Sequence, residues 1–192
     1  MYDAENRLTW LSDGYLFMDG FESNGMSAWS SSQTDNGDLS VSATAALSGT
    51  YGLKANVNDG NEIDVGETIS LTLKHYVLRF MFDPNSQTMA ASDRYTIFQG
   101  VNSSGTAVLE LEHSYSNGMH RYDVRMRRDT GAWYTSGDNG ASDAPHTYQI
   151  EWTAATSAGA KSAAIVCSGG GRAVTTTVTA NVVAASGLAS GR

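Results

Sequence analysis

The chain has 192 residues and a mass of 20.4 kDa, enough for one domain with a sizeable core and short for two. Charged residues make up 17% of it, below the ~25% of ordinary soluble domains, and its 20 glycines exceed the usual ~7%, a composition unlike that of a charge-driven disordered tail. Its 12 basic and 20 acidic residues give a formal net charge of -8, which speaks against a nucleic-acid-binding face, and no apolar run approaches the about 18 residues that span a bilayer.

In chain order, residues 1–15 form a lead-in. It carries acids early and lacks the apolar centre of about 7–15 residues that marks a signal peptide. From residue 16 to residue 153 the sequence alternates apolar and polar positions in short runs, the period of a strand with one buried face. Tyr51–Val57 places Leu53, Ala55 and Val57 on one side. His75–Phe82 places Tyr76, Leu78, Phe80 and Phe82 together. Val108–Glu112 precedes Arg121–Arg127, where Tyr122, Val124 and Met126 oppose four charged residues. His146–Trp152 repeats the pattern with Tyr148, Ile150 and Trp152. Trp29, Tyr122 and Trp152 are expected in the core. Turn signals separate the runs, among them Asp83-Pro84-Asn85-Ser86, Asn102-Ser103-Ser104-Gly105 and Ser116-Asn117-Gly118. A single helical turn fits at Asn85–Ser92, and no amphipathic helix is expected. Residues 154–192 are atypical: mostly Ala, Gly, Ser, Thr and Val, with no acid and no aromatic residue. A strand over Val174–Val182 fits there, and the segment is a candidate to complete the fold. Short strands at this spacing predict an all-β antiparallel sandwich or barrel. The lone Cys167 can make no internal disulfide.

Two resemblances follow from particular residues. Tyr2-Asp3-Ala4-Glu5-Asn6-Arg7-Leu8-Thr9 resembles one unit of the RHS/YD-repeat family, large exported bacterial proteins. One unit cannot bury its own face, so here it reads as a boundary and not as a domain. Leu16–Ser30, Ala46–Leu53, Arg79–Asn85 and Ala144–Trp152 together resemble concanavalin A-like (laminin-G-like) jelly-roll modules of bacterial surface and secreted proteins. That resemblance implies an antiparallel two-sheet jelly-roll sandwich over residues 16–153. It also implies a role in carbohydrate recognition, adhesion or spacing within a larger extracellular polypeptide. The partner implied is a glycan or cell-surface polysaccharide, with no nucleic acid and no membrane insertion. Such modules close with a Leu-x-Leu-Trp-x-Asp-Gly hairpin. Ser162–Arg172 stands in its place, which points to truncation or a shifted reading frame from about residue 160.

Candidate chemistry gathers at four places. Glu62, Asp64 and Glu67 match the Glu-x-Asp-x-x-Glu pattern of laminarinase-type glycosidases, in which paired carboxyls about 5–5.5 Å apart perform retaining hydrolysis. The plainer reading of the same residues is a solvated acidic loop, and the expectation is a non-catalytic chain. Asp19 and Glu22 are candidate calcium ligands, although calcium needs about six to eight oxygens. Trp133, Tyr134, Tyr115 and Arg125 are candidates for a sugar-binding face, since rigid aromatic bodies with polar neighbours suit sugar rings. Arg125 and Arg127 are expected on one face opposite Glu110 and Glu112. Such a pairing either solvates a sheet or receives an acidic polysaccharide. The four histidines show no metal-ligand spacing, and His113 and His120 are expected to flank a hairpin tip at Asn117-Gly118.

Overall fold

A computed structural model describes residues 16–69, 75–87, 89–90, 93–128, 130–137, 139–153, 160–169 and 172–181. The lead-in resemblance to a YD repeat therefore lies outside the described residues. The described chain is all-β, in antiparallel sheets. Its strands are β1 (Ser31–Gln33), β2 (Leu39–Ser42), β3 (Gly52–Ala55), β4 (Asp64–Gly66), β5 (His75–Phe82), β6 (Arg94–Val101) and β7 (Ala107–Ser116). They continue with β8 (Met119–Arg127), β9 (Trp133–Thr135), β10 (Asn139–Ala141), β11 (His146–Thr153), β12 (Ala160–Gly169) and β13 (Arg172–Asn181). No helix among the described residues is long and apolar enough to cross a membrane.

Two sheets carry the core. One has the order β10-β8-β7-β6, with β9 pairing a second stretch of the β8 edge; the other has the order β13-β12-β11-β5. Registers explain why the alternating residues meet. His146, Tyr148, Ile150 and Trp152 of β11 lie opposite Phe82, Phe80, Leu78 and Tyr76 of β5. The inward set of one strand therefore abuts the inward set of the next. Tyr76 stacks on Trp152 at 5.3 Å and Phe80 on Tyr148 at 5.5 Å. Across the gap, Tyr122 meets Tyr148 edge-on at 5.5 Å, and Phe80 lies 6.3 Å from Phe98. Leu109, Leu111, Val124, Met126 and Trp152 are sealed between the layers. Truncating a fully buried leucine such as Leu111 to alanine costs about 3 kcal/mol in such a setting.

The β7–β8 hairpin turns at Asn117-Gly118, with φ of 52° and 76°. These left-handed values at both central residues are what a two-residue type I′ turn demands. Register shifts in β6 between Thr96 and Phe98 let the adjacent Ile97 and Phe98 both pack on the core. The segments 160–169 and 172–181 pair as β12 and β13 and extend the β11 edge of the second sheet.

Three expectations are corrected. Ala55 and Val57 are exposed, because β3 pairs only with β2 in a short ribbon, and Asn56 ends it by donating to the carbonyl and carboxylate of Asp38 at 2.8 and 2.9 Å. The helical turn expected over Asn85–Ser92 does not begin as one, since Asn85 and Ser86 have φ of 50° and 58°, and residues 88, 91 and 92 of it lie outside the described residues. Trp29 is half-buried in a separate cluster with Phe17 and Phe21, 4.7 and 5.8 Å away, not in the main core.

Candidate functional site

Alternation along β7 and β8 makes two different surfaces from one hairpin. Leu109, Leu111 and His113 face inward opposite Met126, Val124 and Tyr122. Glu110, Glu112 and Ser114 face the other way, opposite Arg125, Asp123 and Arg121. On this outer face β6 brings Gln99 beside Glu110 and Arg94 beside Ser114, while β9 brings Trp133 beside Arg127.

The outer face is an organised polar network. Arg125 Nη1 donates to Glu110 Oε2 at 3.1 Å and to Glu112 Oε1 at 2.6 Å. Gln99 Nε2 donates to Glu110 Oε1 at 2.9 Å. Arg94 Nη1 binds Asp123 Oδ2 and lies 4.0 Å from Glu112 Oε2. The Glu110 and Asp123 residues are only 7% and 2% exposed, so the guanidinium partners offset the desolvation of both carboxylates. The Arg125 guanidinium lies 4.7 Å from the centre of the Trp133 ring and that of Arg127 lies 5.8 Å from it, within cation–π range. A half-buried indole is thus pinned on a polar sheet face by two cations.

The structure unites two of the four aromatic and basic candidates. Trp133 and Arg125 meet on the outer face. Tyr134, the next residue after Trp133, falls on the opposite side and packs against the core, with Arg128 at 5.2 Å. Tyr115 shares the inward parity of His113 and packs on His120 at 5.0 Å. Arg94, Gln99 and Asp123 were not singled out by sequence. The register shifts in β6 break the alternation that would have signalled its strand.

Three of the other candidate carboxylates, Asp19, Glu22 and Glu67, bind donors of the fold. Glu67 Oε2 accepts from Ser30 N at 3.0 Å and Ser30 Oγ at 2.6 Å. Asp64 opens β4 opposite Gln33, and Glu62 is exposed in the preceding loop. This acidic motif therefore lies beside the β1–β4 ribbon and outside the two packed sheets. Asp19 accepts from Phe21 N at 3.0 Å and from the Trp29 indole N–H at 2.7 Å. Glu22 Oε1 accepts from Thr50 N at 2.9 Å and Tyr51 N at 3.2 Å, and these backbone donors hold its pKa below the usual range. Asp19 thus anchors its own loop, while Glu22 and Glu67 tie together segments distant in the chain. Among the described residues no group of three or more His, Cys, Asp or Glu side chains is arranged to hold a metal ion.

A second polar cluster sits at the hairpin end of the core. His120 Nδ1 and His113 Nε2 are 3.2 Å apart, and His120 Nε2 lies 3.5 Å from Asp143 Oδ1. Asp143 in turn accepts from Ser86 N at 2.7 Å and Ser86 Oγ at 2.6 Å, bonds that hold its pKa low. Tyr95 and Phe82 pack on the His113 ring at 4.9 and 5.4 Å. Burial pushes the Tyr95 phenol up to about 12. His146 is also buried and bonds Ser142 through Nε2 at 3.1 Å to its Oγ.

No protein-family model matches the chain, and no curated protein or solved structure matches it significantly.

Proposed function

We propose that this chain is a concanavalin A-like jelly-roll module that binds carbohydrate, without catalysis, as an adhesive part of a larger bacterial extracellular protein. The observation that carries the reading is the Trp133 indole, held by Arg125 and Arg127 on a sheet face otherwise made of polar side chains. A fixed indole offers a sugar ring a flat apolar partner, and the surrounding guanidinium, amide and carboxylate groups offer hydrogen bonds to hydroxyls. The same network favours binding over hydrolysis. Glu110 and Glu112 are both tied to one guanidinium, so the acids nearest the indole are engaged in holding the face together. The alternative glycosidase reading, built on Glu62, Asp64 and Glu67, is weakened by the engagement of Glu67 with Ser30.

A purely structural spacer is the competing reading, favoured by the self-satisfied ion pairs of the outer face. A glycan array probed with the purified chain, with and without calcium, separates the two. Binding that is lost in Trp133→Ala and kept in Glu67→Gln supports the carbohydrate-binding module. Silence from a cooperatively folded chain supports the spacer.

A further inference from the structure

The charges on the outer face do not cancel evenly along it. Arg125 serves Glu110 and Glu112, and Arg94 serves Asp123. These pairs link β6, β7 and the centre of β8. At the β8–β9 edge Arg127 lies opposite Trp133 on the outer face, while Arg128 stacks on Tyr134 on the other side. Among the described residues neither Arg127 nor Arg128 forms an ion pair with a carboxylate. Four of the chain's 12 basic residues, Arg94, Arg121, Arg125 and Arg127, alternate onto this face. On the outer face these arginines stand among Glu110, Glu112 and Asp123, and Arg127 is the one beside the indole that no described carboxylate pairs.

Resting on the carbohydrate-binding reading above, we propose that the Trp133–Arg127 edge selects an acidic sugar, a uronate-bearing polysaccharide. The sugar ring packs on the Trp133 indole and the sugar carboxylate pairs with the Arg127 guanidinium. The chemistry suits the class. A guanidinium presents a planar fork of N–H donors that matches a carboxylate two bonds at a time. A neutral sugar would leave that fork without its anion. Arg125 is already matched by two glutamates through Nη1, which leaves Arg127 as the cation beside the indole with no described carboxylate partner. The net negative charge of the chain works against non-specific capture of polyanions, so the preference rests on local geometry.

The test is calorimetric titration of the full chain with a soluble polyuronate and with the same polymer after its carboxyls have been reduced to alcohols. Four variants are compared: Arg127→Gln, Arg127→Lys, Trp133→Ala, and Arg79→Gln on the exposed face of β5 as a control. Thermal unfolding confirms that each is folded. The proposal expects the polyuronate to bind about tenfold or more tighter than the reduced polymer. Arg127→Gln should erase that preference while sparing the reduced polymer, and Trp133→Ala should weaken both. Arg127→Lys should fall between, keeping the charge and losing the fork. Equal binding of the two polymers, with Arg127→Gln silent, overturns the acidic-sugar inference and leaves glycan binding standing. Polyuronate binding that Arg79→Gln weakens as much as Arg127→Gln also overturns it, as general polyanion attraction. Binding of neither polymer, together with a silent array, overturns the carbohydrate reading itself.

Discussion

Mild acidification should loosen this fold in good part through His113. Its ring is fully buried on the inner face of β7. His120 faces it from β8, Tyr95 from β6 and Phe82 from β5, and Asp143 reaches the far nitrogen of His120. Burial first, and the neighbouring His120 second, lower the His113 pKa to about 4 from an ordinary 6.5. The unfolded chain therefore takes up a proton near pH 6.5 that the folded chain refuses until near pH 4. Stability from this group is complete above the unfolded value. It falls as the pH drops through the window between the two values and levels off below the folded one. At about 1.4 kcal/mol per pH unit, the whole window is worth about 3 kcal/mol, and about 2 kcal/mol is gone by roughly pH 4.5. Urea unfolding of the natural chain and of His113→Leu, across pH about 7 to about 4.5, measures it. The readout is the difference in slope, so the variant's own stability does not enter. Carboxyls such as Asp143 and Glu22 titrate in both proteins and cancel. The natural chain should lose about 2 kcal/mol more than the variant over that range. Parallel curves would refute the reasoning.

Other perturbations follow from the same geometry. Arg125→Gln leaves Glu110 and Glu112 facing each other without their shared cation, and should destabilise by about 2–3 kcal/mol in chemical denaturation. Adding Glu112→Gln should recover a large part of the loss, because it removes the repulsion. Gly52→Ala places a methyl 2.2 Å from the backbone oxygen of Ala45, which cannot move aside, and should cost about 2 kcal/mol or more. Gly118→Ala meets open space and pays only for a φ of 76°, about 1 kcal/mol. Asp19→Ala frees the Trp29 indole N–H and should cost about 1–2 kcal/mol. It should shift Trp29 fluorescence by the same amount with and without added calcium; a calcium-dependent difference would restore Asp19 as a ligand.

The strands β5, β8 and β11 were legible because each buries one face against a second layer, and that demand writes itself as strict alternation. The β7–β8 turn was legible because only residues such as Asn-Gly tolerate two left-handed positions. Strand β6 was not, because its register shifts send Ile97 and Phe98 to the same side and break the period. That is why Arg94 and Gln99 escaped notice, while the pairing of Arg125 with Glu110 and Glu112 could be expected from parity alone. Tyr134 and Tyr115 show the converse: composition groups them with Trp133, and strand parity places them on the other side. The roles of Asp19, Glu22 and Glu67 were also hidden. Each binds donors brought close by the fold, and Glu67 reaches Ser30 across a separation that no local motif encodes. A buried proton-refusing histidine leaves no trace in sequence either, since His113 reads as one more alternating residue.

The central claim is that the outer face of the β6–β10 sheet is the contact surface for a glycan, with Trp133 as its platform. Its most direct test is a two-dimensional NMR titration of the tryptophan indole N–H signals with whichever glycan the array selects. The account predicts that the Trp133 indole and the Arg125 and Arg127 side-chain signals move together and saturate with the ligand, while the buried Trp152 indole stays fixed. Movement confined to residues of the β1–β4 ribbon, or a Trp133 signal indifferent to a ligand that binds, would contradict it.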